Sequence, residues 1–170
     1  MNKGMEQPVD WEQRLSDLWA SFDELGEQAF LDKMELLVAE LPADSAVAAF
    51  ERAGSFDSTG HSDLAVPLYR RALELGLQGQ RRRQAVIQMA SSLRNLGQAS
   101  ESVALLMAER ERASDDLDDA VSATLALALV DVGREREAVS VAVMALSRHM
   151  TRYRRSMANY ARLLSDRPSP

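Results

Sequence analysis

Four glycines, Gly26, Gly60, Gly97 and Gly133, divide the chain at intervals of 34, 37 and 36 residues. A period of this length constrains the fold more than any other feature. A unit of about 35 residues holds one pair of helices and cannot bury its apolar face alone, so neighbouring units must stack to make a core.

The residues around the glycines carry the spacing of helices with one apolar side. Leu15, Leu18, Trp19 and Phe22 precede Gly26; Ala49, Ala53 and Phe56 precede Gly60. Val86, Met89, Ala90 and Leu93 precede Gly97, and Leu125, Ala126 and Leu129 precede Gly133. Steps of three and four place each set on one helical face. A second pattern follows the glycines. Ala65, Tyr69 and Ala72-Leu73 come after Gly60, Ser102 and Leu106 after Gly97, and Ala138, Ala142 and Ala145-Leu146 after Gly133. Small residues at the first and third of these positions let two helices approach closely, and a larger residue between them fills the space.

Composition agrees with an all-helical chain. Ala, Leu, Arg and Glu lose little on entering a helix, aromatics make up 5% of the 170 residues, and no long Val/Ile/Thr/Tyr run supports a strand. Cysteine is absent, which excludes disulfides, thiolate metal sites and cysteine nucleophiles and fits a reducing compartment. The N-terminus has no apolar segment of signal-peptide length, and no window approaches the roughly 18 apolar residues of a membrane span. The expected address is the cytoplasm.

The pattern resembles the tetratricopeptide repeat (TPR), a helix–turn–helix of about 34 residues. Its second helix carries small, aromatic and small residues in turn. The segment GHSDLAVPLYRRALELG (60–76) matches best; LRNLGQASESVALL (93–106) and LALALVDVGREREAVSVAVMAL (125–146) match less closely. Three features depart from it. Pro67 lies within a second helix, near enough to its start for the first turn to tolerate it. Glu109 takes a small-residue position, which predicts a shifted or partly exposed helix. Leu31 and Glu35 make the Gly26 unit degenerate.

The resemblance implies a right-handed superhelix of antiparallel helix pairs, an α-solenoid, with a C-terminal capping helix. It is closest to small stand-alone bacterial members of the family, some of them suspected dimers. The expected layout is a disordered tail over 1–8, an N-terminal helical pair over 9–45, three repeats over 46–150, and a capping helix with a frayed end over 151–170. Helices are expected at about 10–25, 28–41, 46–58, 61–75, 80–96, 98–113, 116–132, 135–148 and 151–164, the last with Tyr153, Met157, Tyr160 and Leu164 facing inward. Asp166, Pro168 and Pro170 mark the frayed end.

Nothing in the sequence points to catalysis, a cofactor or a metal. His61 and His149 lack a carboxylate at ligand spacing. Gly76 and Gly79 read as a helix end and linker rather than a phosphate loop. The run Asp115–Asp119 lacks the ligand schedule of a calcium loop and suits a helix N-terminus. Arg81-Arg82-Arg83 opposes the helix dipole, so these arginines pair with neighbouring acids, meet an acidic partner, or form a solvated turn.

What remains is a surface. By the family's register, the first helix of each pair lines a concave groove, here at Glu51 and Asp57, then Gln84, Ile87, Gln88, Ser91, Arg94 and Asn95, then Ala123, Leu127, Val130 and Asp131. The implied function is binding of a partner protein's peptide or helix, without catalysis. Arg94 and Asn95 match positions of a carboxylate clamp, but with Lys3 and Lys33 the only lysines a chaperone-type clamp is not expected.

Two alternatives rest on charge and aromatics. Residues 1–45 carry eleven acids and three bases, and residues 147–170 carry six arginines and one acid. A homodimer could form through Trp11, Trp19, Phe22 and Phe30 of the acidic end. A nucleic-acid role would use Arg81–Arg83 and the C-terminal arginines; the net charge of −6 weighs against it.

Overall fold

The computed structural model describes residues 9–112 and 114–165. The expected tail over 1–8 and frayed residues Asp166, Pro168 and Pro170 lie outside the described residues. Within them the chain forms nine α-helices, one short 3-10 turn and no strand. It divides into two compact units, 1–77 and 78–170.

The N-terminal unit contains α1 (Val9–Ala20), α2 (Glu27–Val38), α3 (Ala46–Ser58) and α4 (Ser62–Glu74). The continuous helix expected up to Leu25 instead closes at Ala20 and is followed by a 3-10 turn, Phe22–Glu24. Ser21 causes this stop: its hydroxyl donates to the Leu18 carbonyl at 2.8 Å, and its ψ of 5° has left the helical range. α2 packs on α3 and α3 on α4. Trp11, Leu15, Phe30, Met34, Leu37, Val38 and Ala48 make one core, with Leu18, Trp19 and Phe22 packed against it. Ser45 starts α3 by accepting from the Ala48 amide at 3.2 Å, the bond expected of an N-cap serine. α4 continues through Pro67. The ring lies beyond the first turn, so its missing N–H forgoes the bond to the Asp63 carbonyl; the exposed position leaves that carbonyl to water.

The C-terminal unit contains α5 (Gly79–Asn95), α6 (Ala99–Arg110), α7 (Asp118–Asp131), α8 (Glu135–Ser147) and α9 (Arg154–Ser165). Successive helices pack in sequence, and α7 also packs on α5. The core gathers Ala90, Val103, Leu106, Val121, Leu125, Ala128, Leu129, Ala138 and Val141. Ala142, expected at the interhelical position, is exposed, and Val141 is buried in its place. α8 turns to serve two neighbours, α7 and α9.

The capping helix also departs from expectation. Tyr153 and Tyr160 are 73% and 61% exposed, and the fully buried residue is Ala161; Met157 and Leu164 are half-buried. The Ser140 hydroxyl donates to the Ala161 carbonyl at 2.6 Å. So close a backbone approach leaves room for alanine and none for tyrosine. The helix starts at Arg154 rather than near Thr151 because Tyr153 has a φ of 63°, outside the right-handed helical range.

The repeating glycines terminate helices in one way. Gly97 has a φ of 74°, its amide bonds to the Arg94 carbonyl at 2.9 Å, and the next amide, of Gln98, reaches the Leu93 carbonyl at 2.8 Å. This is the Schellman arrangement. The same pair of bonds recurs at Gly60 and Gly133. Gly26 belongs to a different structure: it precedes α2 with an ordinary φ of −71°. A Cβ at either Gly97 or Gly26 would meet no atom within 4 Å, so backbone strain alone separates them. Gly97→Ala is expected to cost about 1 kcal/mol and Gly26→Ala close to nothing. Equal shifts of the two urea midpoints would contradict this.

Candidate functional site

Two ion pairs fix α5 against α7. Arg83 Nη2 lies 2.7 Å from Asp118 at the start of both helices, and Arg94 Nε lies 2.6 Å from Asp131 at their ends. The helices therefore run parallel, tied over eleven residues of α5, about 16 Å. Between the ties, α5 presents Gln84, Gln88 and Ser91, all half-buried, while Ile87 packs against the core. Asn95 is exposed beyond the second tie.

α7 has apolar residues on nearly every side. Val121, Leu125, Ala128 and Leu129 face the core, but Leu127 and Val130 are 54% and 49% exposed, with Ala123 exposed beside them. Positions 123, 127 and 130 are spaced by four and three, so they form a second stripe. A helix that is apolar all round is ordinarily covered all round. This stripe is not covered within its unit.

The other two groove positions belong to the N-terminal unit and are engaged there. Glu51 is buried and accepts from the Trp19 indole N–H at 3.1 Å. Asp57 accepts from the Tyr69 hydroxyl at 3.3 Å. Burial, then the Asp57 charge, holds that phenol well above its usual pKa. The aromatic set proposed for an oligomer interface is also largely internal. Trp11 is 1% exposed and its Nε1 donates to the Leu37 carbonyl at 2.9 Å. Phe30 is fully buried. Trp19 and Phe22 are half-buried and pack on Phe30 with ring centroids 5.1 and 4.9 Å away.

The arginine run has an internal role that the sequence left open. Arg82 forms two bonds to Glu109, at 2.7 and 2.8 Å, and the adjacent carboxylate holds its pKa above the usual arginine value. Arg83 reaches Asp115 at 3.2 Å as well as Asp118. Glu109, expected on a shifted or partly exposed helix, is 2% exposed: it occupies a small-residue position and pairs with Arg82 on the preceding helix. Asp118 also accepts from the Ser114 hydroxyl; this bond first, and the Arg83 charge further down, keep its carboxyl below the usual aspartate pKa. The acidic run thus starts α7 and neutralises α5.

Each histidine meets one carboxylate across the fold, His61 with Glu27 and His149 with Asp119, both at 2.7 Å. Sequence spacing could not show these pairs, 34 and 30 residues apart. Among the described residues no group of three His, Asp or Glu side chains is placed to hold a metal ion, and no helix is long and apolar enough to cross a membrane.

A family model described as "Tetratrico peptide repeat" matches residues 46–164, from the first residue of α3 to nearly the last of α9. No curated protein and no solved structure matches the chain. The family suggests a role in protein–protein interaction and is generally not catalytic. The matched span covers more than two thirds of the sequence and takes in the three glycine-terminated helix pairs. The chain belongs to the tetratricopeptide repeat family.

Proposed function

We propose that this protein is an interaction module whose α5–α7 face receives an amphipathic peptide or helix of a partner protein. The observation that carries this reading is the uncovered stripe of Ala123, Leu127 and Val130 beside the polar residues of α5. A partner helix laid along the two could bury one apolar edge on α7 and direct its amide and charged groups to Gln84, Gln88 and Ser91. Fixed spacing between α5 and α7, set by the two ion pairs, limits the reorganisation required on binding. Leu127 and Val130 supply the apolar contact; the glutamines and serine set register.

Affinity capture from extract of the native cell, followed by mass spectrometry, tests the reading. Wild-type protein is expected to retain a defined set of partners that a Leu127→Asp/Val130→Asp variant loses by about tenfold or more. Both positions face solvent, so the variant should melt within a few degrees of wild type. An unchanged capture profile from a folded double variant would sink the proposal.

A further inference from the structure

The up-and-down course of the C-terminal unit brings the start of α5, the end of α6, the start of α7, the end of α8 and the start of α9 to one end. Nine arginines lie there: Arg81–Arg83, Arg110, Arg112, Arg148, Arg152, Arg154 and Arg155. Most of the acids at this end are already committed. Glu109 pairs with Arg82, Asp115 and Asp118 with Arg83, and Asp119 with His149. Arg110 and Arg112 are exposed and make no ion pair among the described residues. Arg148 has only long contacts, 4.0 and 3.9 Å, to Asp118 and Asp119.

These three arginines line a cleft of about 330 Å³ between the end of α6, the first turns of α7 and the last turns of α8. Val141, Met144 and Ala145 supply an apolar wall on the α8 side. Glu111 is the one lining carboxylate not already matched to Arg83. Apart from Arg83 and Asp118, which also line the cleft and pair with each other, it has three guanidinium groups against one carboxylate, next to a hydrocarbon surface. Its volume is at the lower limit of small-ligand sites, the size of one or two side chains.

We infer that this cleft is a second binding site, separate from the α5–α7 face, for an acidic segment of a protein that carries a carboxylate next to an apolar side chain. Guanidinium groups take the carboxylate through charge-assisted, often paired, hydrogen bonds. Met144 is unbranched and polarizable, so it adapts to an apolar neighbour. A nucleic acid fits less well. Its continuous phosphate chain would pass Glu111 and Asp116, both exposed at this end, and would leave the apolar wall unused.

The test uses the full chain and a fluorescein-labelled short peptide of alternating leucine and glutamate, followed by anisotropy. Binding should weaken as salt rises. Arg110→Ala/Arg112→Ala/Arg148→Ala should reduce affinity by about tenfold or more, since a hydrogen bond to a charged group is worth at least that factor. Arg152→Ala/Arg154→Ala/Arg155→Ala removes the same charge outside the cleft and should change affinity by less than about threefold. Methyl NMR of the unsubstituted protein gives a readout independent of any variant: the Met144 signal should move on peptide addition, while Met34, buried in the other unit, stays put. Equal losses from both triple variants would mean diffuse charge attraction and overturn the proposal. So would a stationary Met144 signal, or tighter binding of a short oligothymidylate than of the peptide.

Discussion

Glu109→Ala is expected to lower the stability of the C-terminal unit by about 3 kcal/mol. The residue is at the lower end of the range for breaking a buried ion pair, about 3–5 kcal/mol, for two reasons. Arg82 retains partial contact with water, its side chain being 25% exposed, and Arg83, whose Nε lies 3.8 Å from Glu109, keeps Asp115 and Asp118 after the carboxylate has gone. The loss is still large, because Arg83 is itself buried and its charge would then be offset on one side only. Glu109→Gln, which retains shape and an acceptor oxygen, should fall between alanine and wild type. Arg110→Ala, one residue along but exposed and in no ion pair among the described residues, should stay within about 0.5 kcal/mol of wild type. Urea unfolding monitored by circular dichroism checks the series; a Glu109→Ala midpoint equal to that of Arg110→Ala would remove the network from the account of this unit.

Trp11→Ala is expected to cost a similar amount, about 3–5 kcal/mol, in the N-terminal unit. The side chain is enclosed by Leu15, Phe30, Met34, Leu37 and Val38, and the indole N–H ties α1 to the end of α2. Trp11→Phe keeps most of the buried surface and gives up one hydrogen bond, so its cost should be nearer 1 kcal/mol. The comparison also bears on self-association. Were Trp11 a contact between copies, its replacement would change oligomeric state and leave the unfolding of a dilute sample almost untouched. Light scattering and calorimetry on the same preparations separate the two outcomes.

The elements legible in the sequence were those whose cause is local. The Gly60, Gly97 and Gly133 stops could be read because a left-handed residue after an apolar helix leaves glycine at a regular interval. The core stripes of α5 and α7 could be read because burial repeats every three and four residues. The second stripe on α7, Ala123, Leu127 and Val130, follows from the family's register, and in the structure Ala123 is exposed and Leu127 and Val130 are about half exposed. The features that escaped depend on partners distant in sequence. Glu109 looked misplaced because its counter-charge lies 27 residues upstream. Tyr160 of α9 reads as internal because large apolar side chains usually are. What turns Tyr160 outward is the close approach of Ser140 to the Ala161 carbonyl, which no spacing within α9 encodes. Arg110 and Arg112 gave no signal on their own, since a cleft exists only once three helix ends have been brought together.

The ion pairs of the C-terminal unit have a consequence for how the chain reaches its fold. Arg82–Glu109, Arg83–Asp118 and Arg94–Asp131 close segments of 27, 35 and 37 residues, each about the length of one repeat. Closure entropy grows only with the logarithm of segment length, and chains whose contacts stay near in sequence collapse quickly. A unit wired this way can assemble by each helix pair finding the next, without waiting for its ends to meet. The same wiring makes one helix pair a natural quantum of growth: inserting or deleting a whole glycine-to-glycine block would add or remove one set of bridges and leave the pattern of the others intact.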